Sequence, residues 1–268
     1  MKLNNSLVLF AAIISSLLTS CASSPYAATN RQYKSQAKIL AKNLRQIPID
    51  DNGKDWAGTT NFGLRKPNYV IIHHTAQNST EQTLKTFTMP KTQVSAHYVI
   101  GKDGKIYHML NDYFRAWHGG VSKWGNATDI NSSSIGIELD NNGYEAFTEI
   151  QINSLIKVLA SLKENYNIPT PNFIGHSDIA PGRKVDPNAN FPWKELSEKG
   201  FGLWPDAILD SVPENFNPKE ALRIIGYDVK NLDYAIKSFK LHFVQNDLSP
   251  MLNEYDKQVL FNLYQKYL

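Results

Sequence analysis

The run Tyr69-Val-Ile-Ile-His-His-Thr75 constrains the fold more than any other segment: it is apolar, β-branched and bounded by Pro67 and polar residues, and reads as a buried strand. Further strands are predicted around it. Ala96-His-Tyr-Val-Ile-Gly101 and Lys105-Ile-Tyr-His-Met-Leu110 flank Lys102-Asp103-Gly104, a hairpin signal, and Ser134-Ile-Gly-Ile-Glu-Leu139 and Asn172-Phe-Ile-Gly-His176 follow. Helices fall between them. The clearest starts at Thr148, with Gln151 placed to complete a capping box and Phe147 to staple against Ile152. Its Ile152, Leu155, Ile156, Leu159 and Leu162 recur at helical spacing. A second helix is predicted after Ser79, carrying Leu84 and Phe87 inward.

Strands alternating with helices over 61–200 predict an α/β domain, a mixed central sheet flanked by helices. Gly200, Gly202, Pro205 and Pro213 then mark a linker. Residues 210–268 read as a small three-helix bundle. Asn217-Pro218 caps the first of these helices and Gly226 ends it, Ile236, Phe239 and Phe243 form a stripe on the second, and Tyr255, Val259, Leu260, Leu263 and Tyr267 form one on the third. The linker predicts two separate cores.

The N-terminus has a different character. Lys2 precedes the uncharged run Leu7 to Leu18, shorter than the roughly 18 apolar residues of a membrane span and suited to a secretory signal over 1–20. Leu18-Thr19-Ser20-Cys21 resembles the bacterial lipobox, which implies a lipid on Cys21. Cys21 is the only cysteine, so no disulfide forms within the chain. Residues 21–60 read as a tether and N-terminal extension, with Ala22 to Thr29 small, polar and aperiodic. Cleavage after residue 20 leaves 27 basic against 25 acidic residues, and no basic block is interleaved with aromatics. Nucleic acid is therefore not an expected partner.

Seven histidines raise the question of a metal site. His73 ends one predicted strand and His176 another, and the loop Gly175-His-Ser-Asp-Ile-Ala-Pro-Gly-Arg-Lys-Val-Asp-Pro187 adds Asp178, Lys184 and Asp186. A catalytic zinc needs three nitrogen or oxygen ligands and one open position. Spacing alone does not choose the trio, and because His73 and His74 point to opposite faces of a strand only one of them can belong to it.

Five segments in order resemble the type 2 N-acetylmuramoyl-L-alanine amidase family, which includes the peptidoglycan recognition proteins. They are Val70-Ile-Ile-His-His-Thr-Ala76, Ser95-Ala-His-Tyr-Val-Ile100, Ala116-Trp-His-Gly-Gly120, Ser134-Ile-Gly-Ile-Glu138 and the Gly175 to Pro187 loop. The resemblance implies a zinc amidase fold over 61–200 with His73, His176 and Asp186 as metal ligands. It makes Glu138 the proton carrier and Lys184 the oxyanion partner, and puts His97, Trp117 and His118 along the substrate groove. The implied reaction is hydrolysis of the amide between N-acetylmuramic acid and the L-alanine of a peptidoglycan stem peptide. The tail, through Ala221-Leu-Arg-Ile-Ile-Gly-Tyr227 and Ala235-Ile-Lys-Ser-Phe239, resembles a three-helix peptidoglycan-binding domain. The expected protein is a monomer in the periplasm, anchored by lipid to the outer membrane since Ala22 rather than aspartate follows Cys21. The alternative is a peptidoglycan-binding lipoprotein of the same fold without activity, which would be expected to lack a ligand or the glutamate.

Overall fold

The computed structural model describes residues 24–45, 59–61 and 63–268. They fall into two compact units, one ending before Gly63 and one spanning Gly63–Leu268. The predicted signal segment 1–20 and Cys21 lie outside the described residues. No helix among the described residues is long and apolar enough to cross a membrane.

The first unit contributes helix α1 (Ala27–Asn43), which buries none of its residues. This corrects the reading of Ala22 to Thr29 as a tether, because the helix already includes Ala27 to Thr29. Alanine, lysine and glutamine are the commonest strong helix formers in it, so propensity builds this helix where no apolar stripe announces it.

The second unit runs β1 (Tyr69–His74), α2 (Thr80–Thr88), β2 (Tyr98–Ile100), β3 (Ile106–His108), β4 (Ser134–Leu139), α3 (Glu149–Tyr166), β5 (Phe173–Gly175), α4 (His176–Ile179) and α5 (Trp193–Glu198). It ends with α6 (Pro218–Ile225), α7 (Leu232–Phe243) and α8 (Glu254–Tyr267). The five strands form one sheet in the order β3-β2-β4-β1-β5. β1 lies parallel to both β4 and β5, β4 parallel to β2, and β2 and β3 make the antiparallel hairpin. The helices start where capping side chains sit. Ser79 accepts from the Gln82 amide, Thr148 from Gln151 and Asn217 from Glu220. At Thr148 only half of the expected capping box forms, because the buried Gln151 amide donates instead to the carbonyls of Ile100 and Asp140 at 3.0 and 3.1 Å. The side chain ties α3 to two strand ends, a stronger demand than closing its own cap.

β1 is buried on both faces, and its alternating side chains feed two different cores. Val70 and Ile72 join Ile135, Ile137, Phe173 and the α3 stripe of Ile152, Leu155 and Leu159. Ile71, with Ile174 from β5 and Ile179 from α4, faces the other way into Leu222, Ile225, Ile236, Phe239, Val259 and Leu263. The C-terminal helices are thus the second cover of the sheet. This differs from the two separate cores expected of a linker around Pro205 to Pro213, and the physical reason lies in β1, whose second apolar face must be removed from water. Within the bundle, Ile236, Phe239 and Phe243 are buried as expected, whereas Tyr255 is 54% exposed and leaves the α8 stripe to Val259, Leu260 and Leu263, with Tyr267 partly buried against them.

Phe239→Ala is expected to lower the unfolding free energy by about 3–5 kcal/mol, a buried aromatic lost from a packed core. Calorimetry should show one cooperative transition for residues 63–268 in both proteins. A bundle that melts ahead of the sheet would contradict the shared core.

Candidate active site

Parallel pairing brings the candidate residues together. β1 and β4 run in register with His73 opposite Glu138, and β5 ends beside them at Gly175, directly before His176. His73 therefore faces the cleft. His74 faces away, where its Nδ1 accepts the Asn188 amide at 3.1 Å. Asp186 returns from the loop after α4, held by the Ser177 amide, which donates to its carbonyl at 2.8 Å.

The three ligand candidates converge. His73 Nδ1 lies 2.9 Å from His176 Nδ1 and 3.0 Å from Asp186 Oδ2, and His176 Nδ1 lies 3.0 Å from the same oxygen. Each is buried. Their hydrogen-bond partners fix which nitrogens carry protons. The Ser134 hydroxyl donates to the Ile130 carbonyl at 2.7 Å, so its oxygen accepts from His118 Nε2 at 3.2 Å. His118 Nδ1 is then the acceptor for His73 Nε2–H at 3.1 Å. His176 Nε2–H donates to the Gly119 carbonyl, also at 3.1 Å.

Both Nδ1 atoms are left as lone pairs facing a carboxylate. Burial and the neighbouring His176 push His73 down to about 4, so it is neutral at pH 7. Three acceptors without a shared proton repel one another unless a cation lies among them. The donor set of two imidazoles and a carboxylate suits a divalent transition metal, and ligand atoms around a tetrahedral zinc stand about 3.3 Å apart, close to the spacing seen here.

Glu138 completes the arrangement. It is buried, and Oε2 has no hydrogen-bond partner among the described residues. Burial first, then the charge of Asp186, raises its carboxyl to about 8, with Lys184 acting in the opposite direction. The half-buried Lys184 makes no ion pair among the described residues. Its charge is thus free for the cleft.

The histidines grouped in sequence with the groove have other places. His97 is fully buried, with Nδ1 accepting the Gly136 amide at 3.1 Å and Nε2–H donating to Phe114 O at 2.9 Å, so it braces β2 against β4 and cannot touch a ligand. His118 is buried as the acceptor for His73, and a Cβ at Gly136 would clash with its ring, which explains a glycine in mid-strand. Of the three, only Trp117 is exposed, at 52%. Asp178, the alternative third ligand, turns away to His242 and Tyr227. Sequence reading missed Ser134, Asn131 and Arg183. Asn131 Oδ1 accepts from the amides of His118 and Gly119, and the Arg183 guanidinium donates to the Gly119 and Val121 carbonyls. Together they shape the loop that orients His176.

Known proteins share this fold. The N-acetylmuramoyl-L-alanine amidase family matches residues 63–189. N-acetylmuramoyl-L-alanine amidase AmiD of Escherichia coli is 34% identical over 207 residues, 65% of this chain and 74% of that protein. The 1,6-anhydro-N-acetylmuramyl-L-alanine amidase AmpD of E. coli is 42% identical over 101 residues, 38% of this chain and 55% of AmpD. Among solved structures, AmiD in complex with anhydro-N-acetylmuramic acid-L-Ala-D-gamma-Glu-L-Lys matches with a TM-score of 0.69 and 29% identity, over 82% of this chain and 97% of that one. AmpDh3 from Pseudomonas aeruginosa matches with a TM-score of 0.70 and 29% identity, over 83% and 99%. The mixed sheet with its flanking helices and helical tail is the architecture of the amidases. The chain belongs to the N-acetylmuramoyl-L-alanine amidase family and is an enzyme of that class.

The raised Glu138 carboxyl should register in stability. An unfolded glutamate ionises near 4.5 while the folded one keeps its proton to about 8, so between these values rising pH favours unfolding of the metal-free protein. Glu138→Gln is expected to remove that effect. Measured by urea unfolding in chelator, its advantage over the wild type should be near zero at pH 4.5 and grow to a plateau on the order of 5 kcal/mol above pH 8. An advantage that is flat with pH would mean that Glu138 is not protonated by its surroundings.

Proposed function

We propose that the enzyme uses zinc to hydrolyse the amide joining N-acetylmuramic acid to the L-alanine of the stem peptide, in peptidoglycan or its fragments. The observation that carries this reading is the meeting of three proton-free acceptors, His73, His176 and Asp186, beside the unpartnered carboxyl of Glu138. Related structures support the substrate class. AmiD was solved with an anhydromuramyl tripeptide as its substrate and AmpDh3 with an anhydromuramic pentapeptide.

Zinc held by those three residues would polarise the scissile carbonyl and lower the pKa of a coordinated water from 15.7 towards about 7. Glu138, ionised when the positive charge of a metal lies beside it, then has the work of moving a proton: Oε2 receives it from the attacking water and returns it to the amine of L-alanine as the C–N bond breaks. Lys184, unpaired at the cleft, offsets negative charge growing on the carbonyl oxygen. Trp117 offers an exposed apolar surface next to His118 for the substrate. A binding protein without activity would have no need of a desolvated, unpaired glutamate, whose burial is costly.

Purified enzyme incubated with muropeptides is expected to release free stem peptide beginning in L-alanine, detected by mass spectrometry, and to stop when a chelator strips the metal. Asp186→Ala should lose both metal and activity, whereas Glu138→Ala should keep its metal and lose about 10² to 10⁴ in rate. Intact muropeptides after digestion by metal-loaded wild type would refute the reaction.

The lipobox reading leads to a lipid on Cys21 and a periplasmic enzyme held at the outer membrane. Cys21→Ala is expected to move the protein from the membrane pellet to the soluble fraction without changing turnover of soluble muropeptides, since the acyl chains are the proposed anchor. Sedimentation of that variant with membranes after a salt wash would rule the anchor out.

A further inference from the structure

Asp178 stands two residues beyond His176 in the short helix α4, and its carboxylate is a point of contact between the sheet and the bundle. It is 1% exposed and accepts three hydrogen bonds. Its Oδ2 takes the Gly175 amide and His242 Nδ1–H, each at 2.7 Å, and its Oδ1 takes the Tyr227 hydroxyl at 2.7 Å. The Gly175 amide is local to the turn. His242 belongs to α7 and Tyr227 follows the end of α6, so two of the three donors come from the C-terminal bundle.

Both donors are held rigidly. The His242 ring is stacked between Trp193, with centroids 3.8 Å apart, and Phe243 at 3.9 Å. Tyr227 meets Trp124 edge to face at 5.0 Å. The chain reaches Tyr227 through Gly226, whose φ of +135° and close approach to the Trp124 ring admit no side chain.

The turn fastened in this way carries two of the three ligand candidates. It presents His176, and its Ser177 amide holds the Asp186 carbonyl at 2.8 Å. A shift of the turn would therefore move His176 and Asp186 together against His73, which is fixed separately in β1. We propose that the C-terminal bundle is part of the active-site scaffold, with Tyr227 and His242 acting through Asp178 as positioning residues that set the geometry of His176 and Asp186 and hence the affinity for metal. The bundle then has a role on small soluble substrates as well as on intact wall. This rests on the zinc-dependent reading above.

The test uses the full chain and compares Tyr227→Phe and His242→Leu with Val259→Ala, a core truncation in α8 that lies outside the Asp178 network. Zinc affinity is read by competition with a chromogenic chelator, site geometry by the visible absorption of the cobalt-substituted protein, and stability by thermal unfolding. Tyr227→Phe and His242→Leu are expected to bind zinc 10- to 100-fold more weakly, the range for residues that orient metal ligands, and to alter the cobalt spectrum. His242→Asn, which can still donate to Asp178, should recover most of the affinity. Val259→Ala should lose stability and keep wild-type zinc affinity and spectrum. Loss of stability in Tyr227→Phe and His242→Leu with zinc affinity and cobalt spectrum unchanged would overturn the proposal and leave the network as an adhesive between layers. Tyr227→Phe deletes a single hydroxyl and keeps the ring, so it reports even if His242→Leu fails to fold. Failure of the wild type to bind zinc at all would remove the proposal along with the zinc reading, an outcome distinct from a bundle that leaves the metal untouched.

Discussion

Everything in the second unit depends on β1 being enclosed. It is paired on both edges and buried on both faces, so its backbone polar groups are satisfied by parallel neighbours and its side chains require cover above and below. One cover is α3. The other is a three-helix bundle that sequence presents as an appendage. The same enclosure makes the site possible, because parallel strands end at one edge and deliver His73, Glu138 and His176 there from three separate parts of the chain.

The second consequence is electrostatic. Desolvation keeps the His73 imidazole neutral and the Glu138 carboxyl protonated in the absence of metal, and a chain of hydrogen bonds from Ile130 through Ser134 and His118 decides which nitrogen of His73 is bare. The cleft therefore holds paired acceptors whose mutual repulsion a cation would relieve. Ligand orientation comes from partners that are themselves fixed to backbone, Gly119 for His176 and Ile130 for the other branch.

Much of this was legible in the chain. Composition and turn signals place all five strands, and capping residues at Ser79, Thr148 and Asn217 place the helix starts within a residue or so. The gathering of His73, His176 and Asp186 follows from two histidines at strand ends and an aspartate in the loop after the second, once a family resemblance chooses among the candidates. Strand phase excludes either His73 or His74, but only the neighbours β4 and β5 say which. The roles of His97 and His118 were not legible, since each is defined by partners far away in the chain: Gly136 and Phe114 for one, His73 and Ser134 for the other. The attachment of the bundle was hidden for a related reason. An amphipathic helix announces that it has a buried face, and says nothing of what lies opposite.

The hydrogen bond from the Ser177 amide to the Asp186 carbonyl closes the intervening residues into an excursion with tied ends. Ligand spacing is set at that knot, while Arg183, Lys184 and Val185 ride on the excursion itself. Closing a flexible loop costs only about 0.6 kcal/mol more for each doubling of its length. Val185, 70% exposed on that excursion, is thus the place where a side chain can be exchanged without loosening the hold of Arg183 on the Gly119 carbonyl or the tie at Asp186.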